Sequence, residues 1–281
     1  MSEFDLEERT KSNPEEFAHD IILEWNSPSY HDMTLLLVEY KNDKICFFKF
    51  FNHDVVEIRE THGCNFLKRV FGIIQESDIK LFAIRDSDFS RICGDDVDST
   101  NYFLTDCHDH EMMCFSDEEV MRSVFDNLAI PFDHTLVENT FDDLMLLSYI
   151  KWLNYHDHLN LNVKSYKPSD KDKTELHSFD SIYNHIRSNS PKCTREITER
   201  DMMDFVTSQT DINVYEITNG HDFLDVLSKR INEKHKSTNI NGDKIRPILY
   251  ACYTLDKFKK THLYSKISQW ADSNQLSILV A

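Results

Sequence analysis

The sequence predicts an α/β fold, a parallel sheet flanked by helices and followed by a mainly helical C-terminal part. As far as Phe115, short apolar runs recur between segments of helical spacing, and two of those runs end directly on acidic residues. From Ser116 onward the strand-like runs give way to amphipathic helical patterns. Alternation of this kind followed by helices is the signature of strands paired in parallel through crossover helices.

Thr34–Val38 (TLLLV) reads as the first buried strand, and Lys41–Phe51 follows with Ile45, Phe48 and Phe51 in helical register. Asp54–Ile58 (DVVEI) is the second strand, after which a turn at His62-Gly63 opens an amphipathic helix reaching about Gln75. Lys80–Arg85 (KLFAIR) is the third strand and stops at Asp86-Ser87-Asp88; Asn101–Thr105 (NYFLT) is the fourth. Helices are expected over Asp117–Leu128, Phe141–Tyr155, Ser178–Arg187 and Thr198–Ser208. The polar tract Lys164–Thr174, with Pro168 inside it, reads as an exposed connection. Ile212–Ile217 reads as a late strand, with a turn at Asn219-Gly220 and a helix His221–Asn232. The chain therefore divides into a core over 28–115 and a helical part over 116–281, with 212–235 a candidate to rejoin the sheet.

Composition narrows the function classes. The 281 residues carry a net charge of −18, and it is unevenly spread: residues 1–160 hold 13 Lys and Arg against 33 Asp and Glu, whereas residues 161–281 hold 18 against 16. An acidic half repels generic nucleic acid, so a nucleic-acid substrate would be chosen by shape or partner. Five glycines leave no Gly-rich phosphate loop, and seven cysteines without a C-x-x-C pair exclude a zinc ribbon or a disulfide framework. No run approaches the roughly 20 apolar residues of a membrane helix, and Met1–Lys11 is acidic and polar, unlike a signal peptide. A cytoplasmic protein is expected.

Four acids carry the candidate chemistry. Glu39 directly follows the first strand, Asp43 lies one helical turn later, and Asp86 and Asp88 share a face if the third strand continues through Ser87. Carboxylates at the carboxyl ends of parallel strands suit Mg²⁺, which takes oxygen ligands and needs only one or two carboxylates beside water and phosphate. By residue type alone, a metal site and a solvated acidic surface both remain open.

LLLVEYKND (Leu35–Asp43), THGCNFL (Thr61–Leu67) and LFAIRDSDF (Leu81–Phe89) resemble, in order and spacing, the toprim domain of topoisomerases, primases and overcoming-lysogenization-defect nucleases. YFLTDCHDHEMMCF (Tyr102–Phe115) and TNGHDFLDVL (Thr218–Leu227) are similar to a bacterial toprim-like family that includes the small subunit of the anti-phage PARIS systems. The resemblance implies a toprim-like sheet whose Glu39, Asp86 and Asp88 are catalytic and bind Mg²⁺ or Mn²⁺; beside it, the spacing makes Asp43 a candidate to hold one ion with Glu39 while Asp86 and Asp88 hold the other or bridge both. It further implies a defence nuclease, toxic to the cell, that cleaves RNA such as host tRNA, is restrained by an ABC-type ATPase and acts as a homodimer. Two departures, Tyr40 where toprim domains carry Gly and Phe89-Ser90-Arg91 after the D-x-D pair, argue against a topoisomerase or primase.

Asp106, Asp109 and Glu111 form a further acidic group, from which Glu111 is the metal candidate; the competing reading makes Asp109 a helix cap and Glu111 a first-turn acid. His221, at a helix start, is read either as a phosphate contact or acid, or as a packed side chain. Lys257, Lys259 and Lys260, with Phe258, Tyr253 and Tyr264 nearby, are candidates to bind nucleic acid by charge and stacking, or else form a solvated face. The rival functions are a non-catalytic regulatory subunit docked on an ATPase, a DNA-cutting toprim nuclease and a phosphotransfer receiver domain. The last lacks the required Lys at a later strand end.

Overall fold

In the computed structural model the described residues are 13–95, 100–236 and 238–280; the acidic segment Met1–Lys11 lies outside them. The fold is α/β, with four parallel strands flanked by helices and a helical C-terminal part.

The chain forms two compact units that do not follow the expected division at residue 115. The first comprises Met1–Asp86, Val97–Thr105 and Thr254–Ala281; the second comprises Ser87–Asp96 and Asp106–Tyr253. The reason is packing rather than chain order: the C-terminal helix His262–Ser273 returns to the sheet, where Trp270 meets Phe82 at 5.0 Å between ring centroids.

In the first unit, strands β1 (Thr34–Val38), β2 (Val56–Glu60), β3 (Leu81–Arg85) and β4 (Tyr102–Leu104) form a sheet ordered β2-β1-β3-β4. Successive side chains alternate between its faces. Leu35, Leu37, Leu81, Ala83, Tyr102 and Leu104 pack against the helices Pro14–Trp25 and Cys64–Ile74 through Ala18, Ile21, Trp25, Leu67, Val70, Phe71 and Ile74. On the opposite face Phe82 meets Phe51, Phe103 and Trp270. Every β1 and β3 residue is buried, as expected of central parallel strands covered on both sides.

Two sequence expectations shift here. The helix after β1 is regular only over Lys41–Phe47 and tightens into a 3₁₀ turn at Phe48–Phe50. Its buried side is Asp43, Cys46 and Phe47, while Ile45 and Phe48 are 49% and 51% exposed. The turn redirects the chain so that Phe50 stacks on Phe258 at 4.5 Å and Phe51 bridges to Leu279.

In the second unit the helix His134–His156 lies against Gly220–Lys234, whose Phe223 meets Phe141 at 4.5 Å. The late strand expected over Ile212–Ile217 is instead a short helix, Val214–Ile217, and 212–235 does not join the sheet. Its apolar residues pack onto helices: Ile217 lies with Phe89 and Trp152 in a local core. The tract Lys164–Thr174 is largely exposed, as expected, but two residues anchor it: Tyr166, after the 3₁₀ turn Val163–Ser165, and Pro168, which opens the turn Pro168–Asp170, are buried. All seven cysteines are free thiols, and burial pushes the Cys107 thiol up to about 12, which makes it inert. Among the described residues no helix is long and apolar enough to cross a membrane.

Candidate metal centre

Strand order fixes where ligands collect in a parallel sheet. β1 has β2 on one side and β3 on the other, so the chain changes direction across the sheet between β1 and β3, and the crevice beyond their carboxyl ends is the favoured binding position. Leu37 and Ala83 are partners across these strands, so the residues that follow them emerge side by side. Glu39 leaves β1 there and Asp86 leaves β3.

The local bonding holds both ends in place. The Asp86 backbone N–H donates to Glu39 Oε1 at 3.2 Å, so the buried Glu39 carboxylate is oriented towards the end of β3. Thr61 Oγ1 donates to the Val38 carbonyl at 3.0 Å, and Gly63 N–H donates to the Glu39 carbonyl at 3.2 Å. Asp43, fully buried, accepts from Tyr40 N–H at 3.0 Å across the first helical turn. Carboxylate oxygens of Asp43 and Asp86 lie within 4.8 Å of each other. Asp43 and Asp86, both in the first unit, could each offer a carboxylate oxygen to one metal ion.

Tyr40, the departure from the toprim pattern, is accommodated by Gly63. Gly63 has φ +98°, and a Cβ there would sit 2.4 Å from Tyr40 Oη. Gly63→Ala is expected to destabilise the chain by about 1–3 kcal/mol, from strain at positive φ and from the clash. Combining it with Tyr40→Ala should recover the steric part, which urea unfolding of the single and double variants measures as a coupling energy.

Arg85, at the end of β3, is buried, and its Nη1 donates to Cys64 Sγ at 3.2 Å. Burial raises the Cys64 thiol above its usual range; Arg85 opposes that shift and Glu39 adds to it. An arginine and a glutamate thus both act on one side chain at the carboxyl end of the sheet.

The second unit holds the other sequence candidates. Asp88 adopts φ 47°; its N–H donates to the His108 carbonyl at 2.7 Å, and its carboxylate lies 3.8 Å from His108 Nε2. Asp109 caps two helices at once, accepting from Met112 N–H at 2.9 Å and from Gly220 N–H at 2.6 Å. That double cap requires glycine at 220, where a Cβ would fall 2.4 Å from Asp109 Oδ1.

Glu111 is the hub of a buried network. Its Oε1 accepts from Arg246 Nε at 3.0 Å and from Tyr250 Oη at 3.2 Å, and its Oε2 lies 3.3 Å from His110 Nε2. Because the Tyr250 hydroxyl donates to Glu111, its oxygen accepts from His110 Nε2 at 2.7 Å. His110 therefore donates from Nε2 into this network. His221, more than half exposed, receives Arg246 Nη2 on Nδ1 at 2.7 Å. Burial opposes charge on Glu111, but His110, His221 and Arg246 outweigh it and hold the carboxyl below its usual range.

Lys257, Lys259 and Lys260 lie in the first unit, with Lys259 and Lys260 exposed. Phe258 beside them is fully buried against Phe47 and Phe50, and Tyr253 is buried in the second unit, so neither ring is a stacking surface.

Sequence reading passed over His110, Arg246 and Tyr250. The alternating run HDHE (His108–Glu111) was a signal for the first, since imidazoles beside acids are common metal-site neighbours. Arg246 lies 135 residues from Glu111, and no local pattern announces that pairing. No protein-family model, curated protein or solved structure matches this chain.

Proposed function

We propose that this protein is a metal-dependent phosphodiesterase that cuts a nucleic-acid backbone, with Asp43 and Asp86 as the metal-holding carboxylates and Glu39 beside them. The observation that carries this reading is the approach of Asp43 and Asp86 to within 4.8 Å at the carboxyl ends of adjoining parallel strands. Asp43, in the first turn of the helix after β1, and Asp86, at the end of β3, both offer carboxylate oxygens, which fits Mg²⁺ or Mn²⁺. A bound divalent ion supplies positive charge to a phosphate and acidifies a water. Glu39, fixed through the Asp86 N–H, is placed to take up a proton at its carboxylate. Asp43 accepts from Tyr40 N–H, which orients its carboxylate.

The finer reading follows the toprim-like resemblance: an RNA-cutting effector of anti-phage defence, with tRNA a candidate substrate and an ABC-type ATPase as its restraint. Free thiols throughout accord with a reducing, cytoplasmic setting.

Thermal melts with and without Mn²⁺ test the metal first. A ligand that binds only the folded state stabilises it by about 2.7 kcal/mol at a hundred times its Kd, so the parent's Tm should rise with metal and that of Asp43→Asn should not. Cleavage of labelled tRNA and of DNA under Mg²⁺ or Mn²⁺ then separates the substrates. A docking subunit would show neither the melting shift nor cleavage.

A further inference from the structure

We propose that the outward face of the helix Lys41–Phe47, continued by Phe48 and His53, is a subsite for an unpaired nucleotide of single-stranded nucleic acid. The inference takes its ligand class from the phosphodiesterase reading and adds the element that selects the substrate. Lys41, Lys44, Ile45 and Phe48 recur at helical spacing on one side, and with Glu60 they line a surface hollow of about 440 Å³.

Phe48 is 51% exposed and stacks on exposed His53, with ring centroids 3.7 Å apart and planes inclined by 21°. His53 Nε2 also donates to the Phe48 carbonyl at 2.6 Å, so the ring pair is held as a platform. Among the described residues neither Lys41 nor Lys44 forms an ion pair, although residues 1–160 carry a large excess of acid. Two ammonium groups against the single carboxylate of Glu60, around an aromatic platform, match alternating phosphates and bases. A duplex hides its bases, so the platform favours unpaired ones. The same short helix carries Asp43 on its buried side, which puts binding and metal ligation on one element.

The test is fluorescence anisotropy in EDTA, with labelled single-stranded RNA and DNA oligonucleotides and the corresponding duplexes. Phe48→Ala should weaken single-strand binding by about tenfold or more, and Phe48→Trp should restore it. Lys41→Ala with Lys44→Ala should weaken it too and flatten the log–log salt slope by about 1.4, the value for two lost phosphate contacts. RNA and DNA arms tell which backbone is preferred. Far-UV circular dichroism confirms that these surface variants fold. Unchanged single-strand affinity in the variants, equal losses on duplexes, or no binding by the parent would each overturn the subsite. So would self-association of the parent abolished by Phe48→Ala, which would make the face a contact between copies. Because the assay contains no metal, single-strand binding lost in the variants without any cleavage by the parent would remove the phosphodiesterase reading and leave the subsite standing. Cleavage by the parent with unaltered variants would do the reverse.

Discussion

Glu39→Ala and Asp86→Asn are each expected to lower metal-dependent cleavage by about 10³-fold or more while the chain stays folded, a loss on the scale of removing a principal transition-state stabiliser. The two variants act differently. Asp86→Asn removes a charge from the pair whose oxygens approach within 4.8 Å, so it should also abolish the Mn²⁺-induced rise in Tm. Glu39→Ala deletes the carboxylate that accepts the Asp86 N–H, so it should lower kcat more than it lowers metal affinity. Single-turnover cleavage and calorimetric Mn²⁺ titration of the same preparations measure both. A folded Glu39→Ala protein with parental kcat would sink the assignment.

Arg246→Ala should destabilise the second unit by about 3–5 kcal/mol, because it leaves the Glu111 carboxylate buried without its arginine. The pH dependence gives the sign. Glu111 is held below its usual range in the folded chain, so its contribution is fully present above the unfolded glutamate pKa and is lost as pH falls through the lowered folded value. In Arg246→Ala the carboxyl loses a stabilising charge and takes up its proton at higher pH. The deficit against the parent should therefore be largest near neutrality and shrink below about pH 5. Urea melts across that range test it, and Glu111→Gln combined with Arg246→Ala should recover part of the loss, since no buried charge is then left alone.

The strands were legible because each is a continuous apolar run closed by polar residues, and both faces of a parallel sheet must be apolar. Thr34–Val38, Lys80–Arg85 and Asn101–Thr105 were placed within a residue of the observed strands, and Asp54–Ile58 within two. Glu39 and Asp86 could be singled out for the same reason, as acids at strand ends, and Asp43 as the acid one helical turn after Glu39. Ile212–Ile217 misled because six residues of β-branched and aromatic character fit a strand or a buried helical turn equally well. Sequence by itself determined the parallel α/β core and the elements on which those acids stand. Only the tertiary structure decided that β1 and β3 adjoin, that Arg246 neutralises Glu111, that Phe258 is buried while Phe48 is exposed, and that the C-terminal helix belongs to the first unit. Local periodicity records which side of an element is apolar, whereas pairings between distant residues depend on how the finished elements pack.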